Sequence, residues 1–252
     1  MSTVTGLLTA NAARWKVAKL TRASEFGPVA KRLVAAKARY QAVAAKTGVP
    51  WFVIAVIHQR ESSQNFSRSL AQGDPWNQVS THVPKGRGPF SSWEAAAIDA
   101  LVNCAPYASR WKDWSPGGTM TLLEQYNGLG YASKGLPSPY VWSGTDQYVS
   151  GKYVADGVFS ATAVDKQLGC AGLIMAMAAL DPSISFGGGV PVLTDAPVPQ
   201  SKPPVTKTDK AVVVTTATAA GAATAQYGIW IGIGVAALLL VSAFLYFKFV
   251  RK

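Results

Sequence analysis

One glutamate in this sequence stands where a catalytic acid could be built. Glu61 belongs to the stretch HQRESSQNF, residues 58–66, and follows the nearly all-apolar segment VPWFVIAVI, residues 49–57. An apolar helix that ends at a carboxyl group removes it from water, and desolvation raises a carboxyl pKa towards neutrality. A carboxylic acid that stays protonated near pH 7 can donate its proton to a glycosidic oxygen. The alternative is an ordinary exposed helix end.

The other three glutamates have simpler explanations. Glu25 lies in a basic segment, whereas Glu94 and Glu124 follow Ser91 and Thr121 at the spacing of a capping box. In a capping box the hydroxyl and the glutamate each satisfy a free backbone N–H at the start of a helix. Glu61 is therefore the one glutamate without a local role.

Two stretches resemble motifs of the lytic transglycosylases and goose-type lysozymes. AVIHQRESSQNF, residues 55–66, is similar to a motif in which an apolar helix ends in Glu-Ser, and that glutamate cleaves the glycan strand of peptidoglycan. LLEQYNGLGY, residues 122–131, is similar to a Tyr-Asn-Gly element that lines the sugar cleft on a later helix. The resemblance covers roughly residues 45–180 and implies a mainly α, lysozyme-like domain with long loops.

The resemblance also implies a set of site residues. Glu61 becomes the general acid, with Ser62, Ser63, Tyr126 and Asn127 as substrate contacts. The Gly-Leu-Met-Gln element expected between the two motifs is absent, and GDPWNQVSTHVPKGRGPF stands in its place. This departure indicates a divergent branch of the superfamily.

Asp74 is the candidate for a second catalytic carboxylate. It lies 13 residues beyond Glu61, and goose-type enzymes place a supporting aspartate at a similar distance. An inverting hydrolase needs a second carboxylate about 6.5–9.5 Å from the acid, to activate water. A transglycosylase needs none, because a hydroxyl of the substrate attacks. Asp-Pro after Gly is equally a turn signal, and the sequence slightly favours a transglycosylase.

Aromatic residues crowd the middle of the chain, as a sugar cleft requires. Rings with a polar edge suit the apolar faces and hydroxyls of sugars, and Trp76 and Tyr131 are predicted substrate contacts. Asn127 could bond an N-acetyl group or end a helix. His58 is predicted to be an ordinary core histidine. No Cys/His ligand spacing occurs, so neither a metal nor another cofactor is expected.

The elements that must position these residues are mostly helices. Two basic amphipathic helices are predicted at 5–25 and 28–47, the second opened by Pro28 and closed by Gly48. Pro50 should begin the helix that carries Glu61. The sequence also predicts an irregular loop at 64–90, helices beginning at the capping boxes of Ser91 and Thr121, a helix at about 160–180, and either a disulfide or buried thiols at Cys104 and Cys170.

The C-terminal region predicts a membrane anchor. Residues 187–226 are rich in Pro, Thr and Ala and are expected to form a flexible linker. A transmembrane helix is predicted at 227–247, because residues 228–247 carry no charge and about 20 residues span a bilayer core. The tail at 248–252 is basic. The domains expected are then 1–47, the basic helices packed on or preceding the catalytic part, and 48–186, the catalytic part itself.

The net charge of the chain and its predicted membrane topology limit the classes of partner that it is expected to bind. The net charge is +11, which favours an anionic surface or is merely a solvated basic face, and no nucleic-acid recognition motif accompanies it. No secretory signal is expected, because basic residues interrupt the N-terminal segment. The bases Lys248, Arg251 and Lys252 directly after the predicted span favour a single-pass membrane protein whose tail lies inside and whose domain faces the cell wall. A bacteriophage source, with the protein in a virion membrane or the host inner membrane, would explain delivery for wall penetration or lysis.

Three functions follow from the sequence. The first is a membrane-anchored lytic transglycosylase or muramidase acting on peptidoglycan glycan strands. The second is a non-catalytic lysozyme-like module that binds the cell wall or serves as a structural virion membrane protein. The third is a chitinase-like or chitosanase-like enzyme, since those folds also carry an acid on a helix.

Overall fold

Helices dominate residues 4–186, which are the residues that this computed structural model describes, and a mainly α fold is thereby confirmed. The predicted linker, transmembrane helix and basic tail lie outside the described residues. The helices are α1 (Val4–Val17), α2 (Ala23–Ala35), α3 (Lys37–Thr47), α4 (Trp51–Ser62), α5 (Trp93–Asn103), α6 (Pro116–Asn127), α7 (Pro139–Trp142) and α8 (Cys170–Ala178). Strands β1 (Lys152–Ala155) and β2 (Val158–Ser160) form an antiparallel hairpin, and 3-10 turns occupy Ala108–Arg110 and Ala132–Lys134.

Helix α4 lies at the centre of the core. Its first eight residues, Trp51 to His58, are all buried, and the helix packs against α3, α6 and α8. Pro50 precedes it as predicted, and Gly48 ends α3 with a left-handed φ of 72°, as predicted for a C-terminal cap. Because apolar side chains cover α4 on every side, its last turn must carry Glu61 from the core to the surface.

The N-terminal helices differ from the predicted pair. There are three, and the first break falls after Val17, where Leu20 bridges Thr145 and the Thr21 amide donates to the Gly144 carbonyl. Pro28 does not open a helix but lies inside α2. The predicted boundaries at 25 and 28 were wrong, because a tertiary contact to a distant loop sets the first break.

Both predicted capping boxes were also wrong. Ser92, not Ser91, caps α5 by accepting a hydrogen bond from the Ala95 amide, and Ser115 caps α6 with Pro116 at its first position. Glu94 instead pairs with Arg39 at 2.7 Å. The second cap lies six residues before the expected Thr121, which leaves Glu124 inside a buried helix.

The segment at 160–180 is helical only in its last part. Strand β2 ends at Ser160 and α8 begins at Cys170. Between them Asp165 accepts hydrogen bonds from Arg60 and Lys152, each at 2.9 Å, so its side chain ties the segment to other elements. The predicted ten-residue extension of this helix is therefore wrong.

Other features of the described residues bear on the predictions. Residues 64–90 form an irregular loop, as predicted. Cys104 and Cys170 are both buried free thiols, so the disulfide alternative was wrong. Within residues 4–186 no single helix is long and apolar enough to cross a membrane, and only the bent pair α3 and α4 reaches that composition together.

Candidate active site

Glu61 occupies the last turn of α4 and is only partly exposed. The Tyr140 hydroxyl donates a hydrogen bond of 2.8 Å to its Oε1 atom. Burial raises the pKa of Glu61 to about 7, although the Tyr140 hydrogen bond and the charge of Arg60 both act to lower it. At neutral pH a large fraction of the carboxyl group is therefore protonated, as a general acid requires.

The surroundings of Glu61 explain this desolvation. Tyr126 and Tyr140 have pKa values raised well above the ordinary range by burial and then by the nearby Glu61 carboxylate. The Tyr126 hydroxyl donates to the Leu70 carbonyl at 3.1 Å, which connects α6 to the loop that follows α4. Two neutral phenol rings thus take the place of water beside the carboxyl group.

An ion-pair network lies next to Glu61. Arg60 precedes it in the chain and reaches Asp165, whose other oxygen accepts from Lys152. Burial opposes ionisation of Asp165, but the charges and hydrogen bonds of the two bases outweigh it and lower its pKa. The Arg60 guanidinium also lies 4.7 Å from the centre of the Tyr140 ring. The network therefore orients the tyrosine that contacts Glu61.

A cavity of about 350 Å³ opens beside this network. Glu61 does not line it, but Tyr140, its hydrogen-bond partner, does. The cavity combines aromatic rings, neutral amides and charged groups, which is the composition that suits a sugar. Its lining residues are Arg60, Asn127, Gly128, Gly130, Tyr131, Pro139, Tyr140, Lys152, Tyr153, Asp165 and Gln167.

Two of the predicted substrate contacts line this cavity. Asn127 is exposed at the end of α6, and Tyr131 is buried, with its hydroxyl accepting a hydrogen bond from the Tyr153 amide at 3.1 Å. Tyr131, Tyr153 and Phe159 pack edge to face, so the β-hairpin is fixed to the loop after α6. The hairpin thereby forms one wall of the cavity.

The other predicted contacts have local partners. The Ser62 hydroxyl donates to the His58 carbonyl at 3.3 Å, and Ser63 ends α4 with a left-handed φ of 54°. The Trp76 indole N–H donates to the Phe66 carbonyl at 2.8 Å. None of these three residues lines the cavity, and neither does Tyr126, the remaining predicted contact. His58 is a core histidine, as predicted, since it is fully buried and 3.0 Å from the Tyr40 hydroxyl.

Asp74 is buried in the loop after α4, where its carboxylate organises the backbone. Its Oδ2 atom accepts from the amides of Thr81 and His82, at 2.8 and 3.0 Å, and its Oδ1 atom lies 2.6 Å from His82 Nδ1. Burial alone would raise the pKa of Asp74, but the hydrogen bonds from His82 and Thr81 outweigh it and lower the pKa. Both oxygens are thus engaged within the loop.

The loop nevertheless lies close to the acid. A Cβ atom placed on Gly73 would be 3.5 Å from the main-chain oxygen of Glu61, and the φ of Gly73 is 69°. A left-handed φ favours glycine. The turn before Asp74 therefore rests against the end of α4, and Asp74 holds that turn in shape.

Four residues of the site are absent from the predicted catalytic and substrate-binding residues. They are Tyr140, Arg60, Lys152 and Asp165. Tyr140 lies 79 residues from Glu61 and Asp165 lies 105 residues from Arg60, so no local spacing connects them. The one available signal was Arg60, a base directly before a candidate acid.

The described residues contain no group of three or more His, Cys, Asp or Glu side chains that could hold a metal ion. Comparisons of the chain with protein-family models, with curated proteins and with solved structures found no match. The site itself therefore carries the functional inference.

Proposed function

We propose that this protein is a membrane-anchored enzyme that cleaves the glycan strand of peptidoglycan with Glu61 as general acid, on a lysozyme-like helical domain. The observation that carries the proposal is the position of Glu61. Its carboxyl group stands at the end of a buried helix and accepts a hydrogen bond from Tyr140, which lines a cavity of sugar-binding composition. The raised pKa of Glu61 is consistent with that role.

The chemistry begins with proton transfer. Protonated Glu61 gives its proton to the glycosidic oxygen while the bond from that oxygen to the anomeric carbon breaks. The ring carbon gains positive charge, and Glu61 is left as a carboxylate that the Tyr140 hydroxyl stabilises. Glu61 then takes a proton from the attacking hydroxyl, so that the acid is regenerated.

The state of Asp74 favours a hydroxyl of the substrate over water as the nucleophile. A carboxylate that activates water needs a free oxygen directed at that water. Both oxygens of Asp74 are engaged by Thr81 and His82 instead. We therefore favour a lytic transglycosylase, whose product is a 1,6-anhydro sugar, and assign Asp74 to support of the loop.

The anchor and the location are part of the same proposal. The uncharged residues 228–247 are followed by the bases Lys248, Arg251 and Lys252, which tend to remain on the interior side of a membrane. The catalytic domain would then face the wall on a tether at 187–226, in a virion membrane or the host inner membrane. Protease added to intact spheroplasts or particles should release a soluble domain; full protection in both would contradict this placement.

Digestion of purified peptidoglycan tests the enzymatic proposal. The full-length protein in detergent should solubilise the polymer, and mass spectrometry should identify 1,6-anhydro muropeptides. Glu61→Gln, purified in the same way, is the control for contaminating lysozyme. Products with reducing ends would indicate a hydrolase, and no products from the wild-type protein would refute the function.

A further inference from the structure

The cavity beside Tyr140 contains a positive charge that proton transfer at Glu61 does not use. Its charged groups are Arg60, Lys152 and Asp165, two cations and one carboxylate. The side chains of Arg60 and Asp165 are only 6% and 4% exposed, whereas that of Lys152 is 38% exposed. The excess charge of the cavity is therefore carried by Lys152 at its open side.

The buried side chains of Arg60 and Asp165 already have hydrogen-bond partners within the protein. Arg60 donates to Asp165 at 2.9 Å and to the Leu168 carbonyl at 3.3 Å. Asp165 Oδ1 also accepts from the Gln167 amide at 3.3 Å. Because Arg60 balances the charge of Asp165, the ammonium of Lys152 is held in place by that carboxylate without being neutralised. Lysine has three N–H donors, and this contact uses one of them.

Neutral groups surround this ammonium. The side-chain amides of Asn127 and Gln167 are exposed at the cavity, and neither has a hydrogen-bond partner within residues 4–186. The rings of Tyr131, Tyr140 and Tyr153 form its aromatic walls. A ligand that matched all of these groups would have an apolar ring face, hydroxyl or amide groups, and one anionic substituent.

We propose that this cavity is a subsite for a sugar residue that carries a carboxylate, and that Lys152 is the specificity-determining residue that pairs with this carboxylate. The inference rests on the proposed function, because it places the subsite beside the glycan strand that Glu61 would cleave. A charge-assisted hydrogen bond between ammonium and carboxylate is stronger than a neutral one. The side chain of Asp165 positions Lys152 for that contact.

In peptidoglycan such a carboxylate can come from two sources. On strands without peptide stems, the lactyl group of muramic acid ends in a free carboxylate. On strands with stems, that group is an amide and the peptide supplies the carboxylates. Oligomers of N-acetylglucosamine have the same backbone and no carboxylate. Comparing binding of these three ligands therefore separates the contribution of the carboxylate from that of the sugar rings. It also shows which of the two sources supplies the carboxylate.

Binding to full-length protein carrying Glu61→Gln avoids turnover during the measurement. Dissociation constants are measured by calorimetry for stem-free muramyl tetrasaccharide, the same tetrasaccharide with stems, and the neutral N-acetylglucosamine tetramer. Adding Lys152→Gln should weaken binding of at least one anionic ligand by about tenfold and change binding of the neutral one less than about twofold. Lys152→Arg should restore most of the difference, since it retains the charge.

Lys166→Gln is the matched control, because Lys166 is an exposed lysine of the same region that does not line the cavity. It should leave all three dissociation constants unchanged. Equal effects of Lys152→Gln on charged and neutral ligands, no effect on any of them, or failure of the parent to bind the anionic ligands would overturn the subsite. Failure of the proposed function is a different result: wild-type protein that binds these ligands with the expected charge dependence but releases no product from peptidoglycan.

Discussion

Glu61 and Glu124 are both glutamates removed from water at buried helices, yet their surroundings differ in one respect. Glu61 is partly exposed and its partner Tyr140 lines a cavity. Glu124 is 0% exposed, in the interface between α1 and α6, where Asn11 donates to its Oε2 atom at 3.2 Å. Its Oε1 atom is buried without a partner among the described residues. Burial raises the pKa of both carboxyl groups.

A raised carboxyl pKa therefore indicates desolvation and not function. Burial favours the protonated form of both carboxyl groups, but only Glu61 is partly exposed and has a hydrogen-bond partner that lines a cavity. For Glu124 the raised pKa follows from its burial between α1 and α6, since a neutral carboxyl is far less costly to bury than a carboxylate. For Glu61 the raised pKa occurs beside a cavity, where the proposed function places a glycosidic oxygen. Access to a ligand separates the two roles.

The largest expected effect is on catalysis. Glu61→Gln keeps the size of the side chain but removes the proton donor, so kcat/KM on peptidoglycan should fall by about two orders of magnitude or more. Glu124→Gln, an identical chemical change at a buried site, should keep activity within about threefold, because it touches no reacting atom. Release of soluble muropeptides measures both, with circular dichroism to confirm folding. Equal loss in the two variants would show that access does not separate these glutamates.

The same two variants should differ from wild type in the pH dependence of stability. The pKa of Glu61 rises from 4.5 to about 7 on folding, so the folded state binds more protons in that interval and wild-type stability falls as pH rises through it. Glu61→Gln removes this loss and should gain roughly 1–3 kcal/mol at pH 8, with no gain near pH 4. Glu124→Gln should change in the same direction.

Urea unfolding at pH 4 and pH 8 measures this prediction. The difference between variant and wild type is the quantity of interest, because other groups titrate equally in both. A gain for Glu61→Gln that is equally large at pH 4 would indicate a packing effect, and would contradict a raised pKa as the cause.

The pKa of Asp74 is shifted in the opposite direction from those of Glu61 and Glu124, because hydrogen bonds lower it. Its stabilising contribution is present above the pKa of the unfolded state and is lost as pH falls through the folded value. Asp74→Asn should cost about 1–3 kcal/mol of stability at pH 7, because it removes the negative charge and leaves one acceptor oxygen where two now contact Thr81 and His82. As a supporting residue, Asp74 should affect kcat/KM by less than about tenfold when changed.

His82→Gln is the matched control for this loop. It removes only the contact of an exposed side chain and should cost less than about 1 kcal/mol. Thermal unfolding and product analysis separate the two roles of Asp74. A loss of activity equal to that of Glu61→Gln, with reducing-end products, would make Asp74 a catalytic base and the enzyme a hydrolase.

Local signals in the sequence were enough to predict the helix that carries Glu61. Gly48, Pro50 and the apolar run between Trp51 and Ile57 act within a few residues, and the structure follows them. Local signals failed where tertiary contacts decide. Ser91 and Glu94 have capping-box spacing, but Glu94 is bound by Arg39 from another helix, 55 residues away.

The partners of Glu61 were beyond the reach of local patterns. Tyr140 contacts Glu61 across 79 residues of sequence. Lys152 reaches the site from the β-hairpin, and Asp165 reaches it from the segment that follows the hairpin. Nothing in the spacing of these residues indicates that they meet, because the folding of α6, α7 and the hairpin around α4 brings them together. The position of Glu61 at the end of a buried helix was predictable from that helix, whereas the cavity beside it was not.

The smallest expected effect concerns Tyr140. Its hydroxyl donates to Glu61 at 2.8 Å, and this bond stabilises the carboxylate and so lowers the pKa of Glu61. Tyr140→Phe keeps the ring that lines the cavity but removes the donor, so the pKa of Glu61 should rise further. Since activity requires the protonated acid, the descending limb of the kcat/KM profile should move to higher pH. Tyr126→Phe should leave that limb in place, because the Tyr126 hydroxyl donates to the Leu70 carbonyl and not to Glu61. A limb that moved to lower pH in Tyr140→Phe, or that moved equally in both variants, would show that this hydrogen bond does not set the ionisation of Glu61.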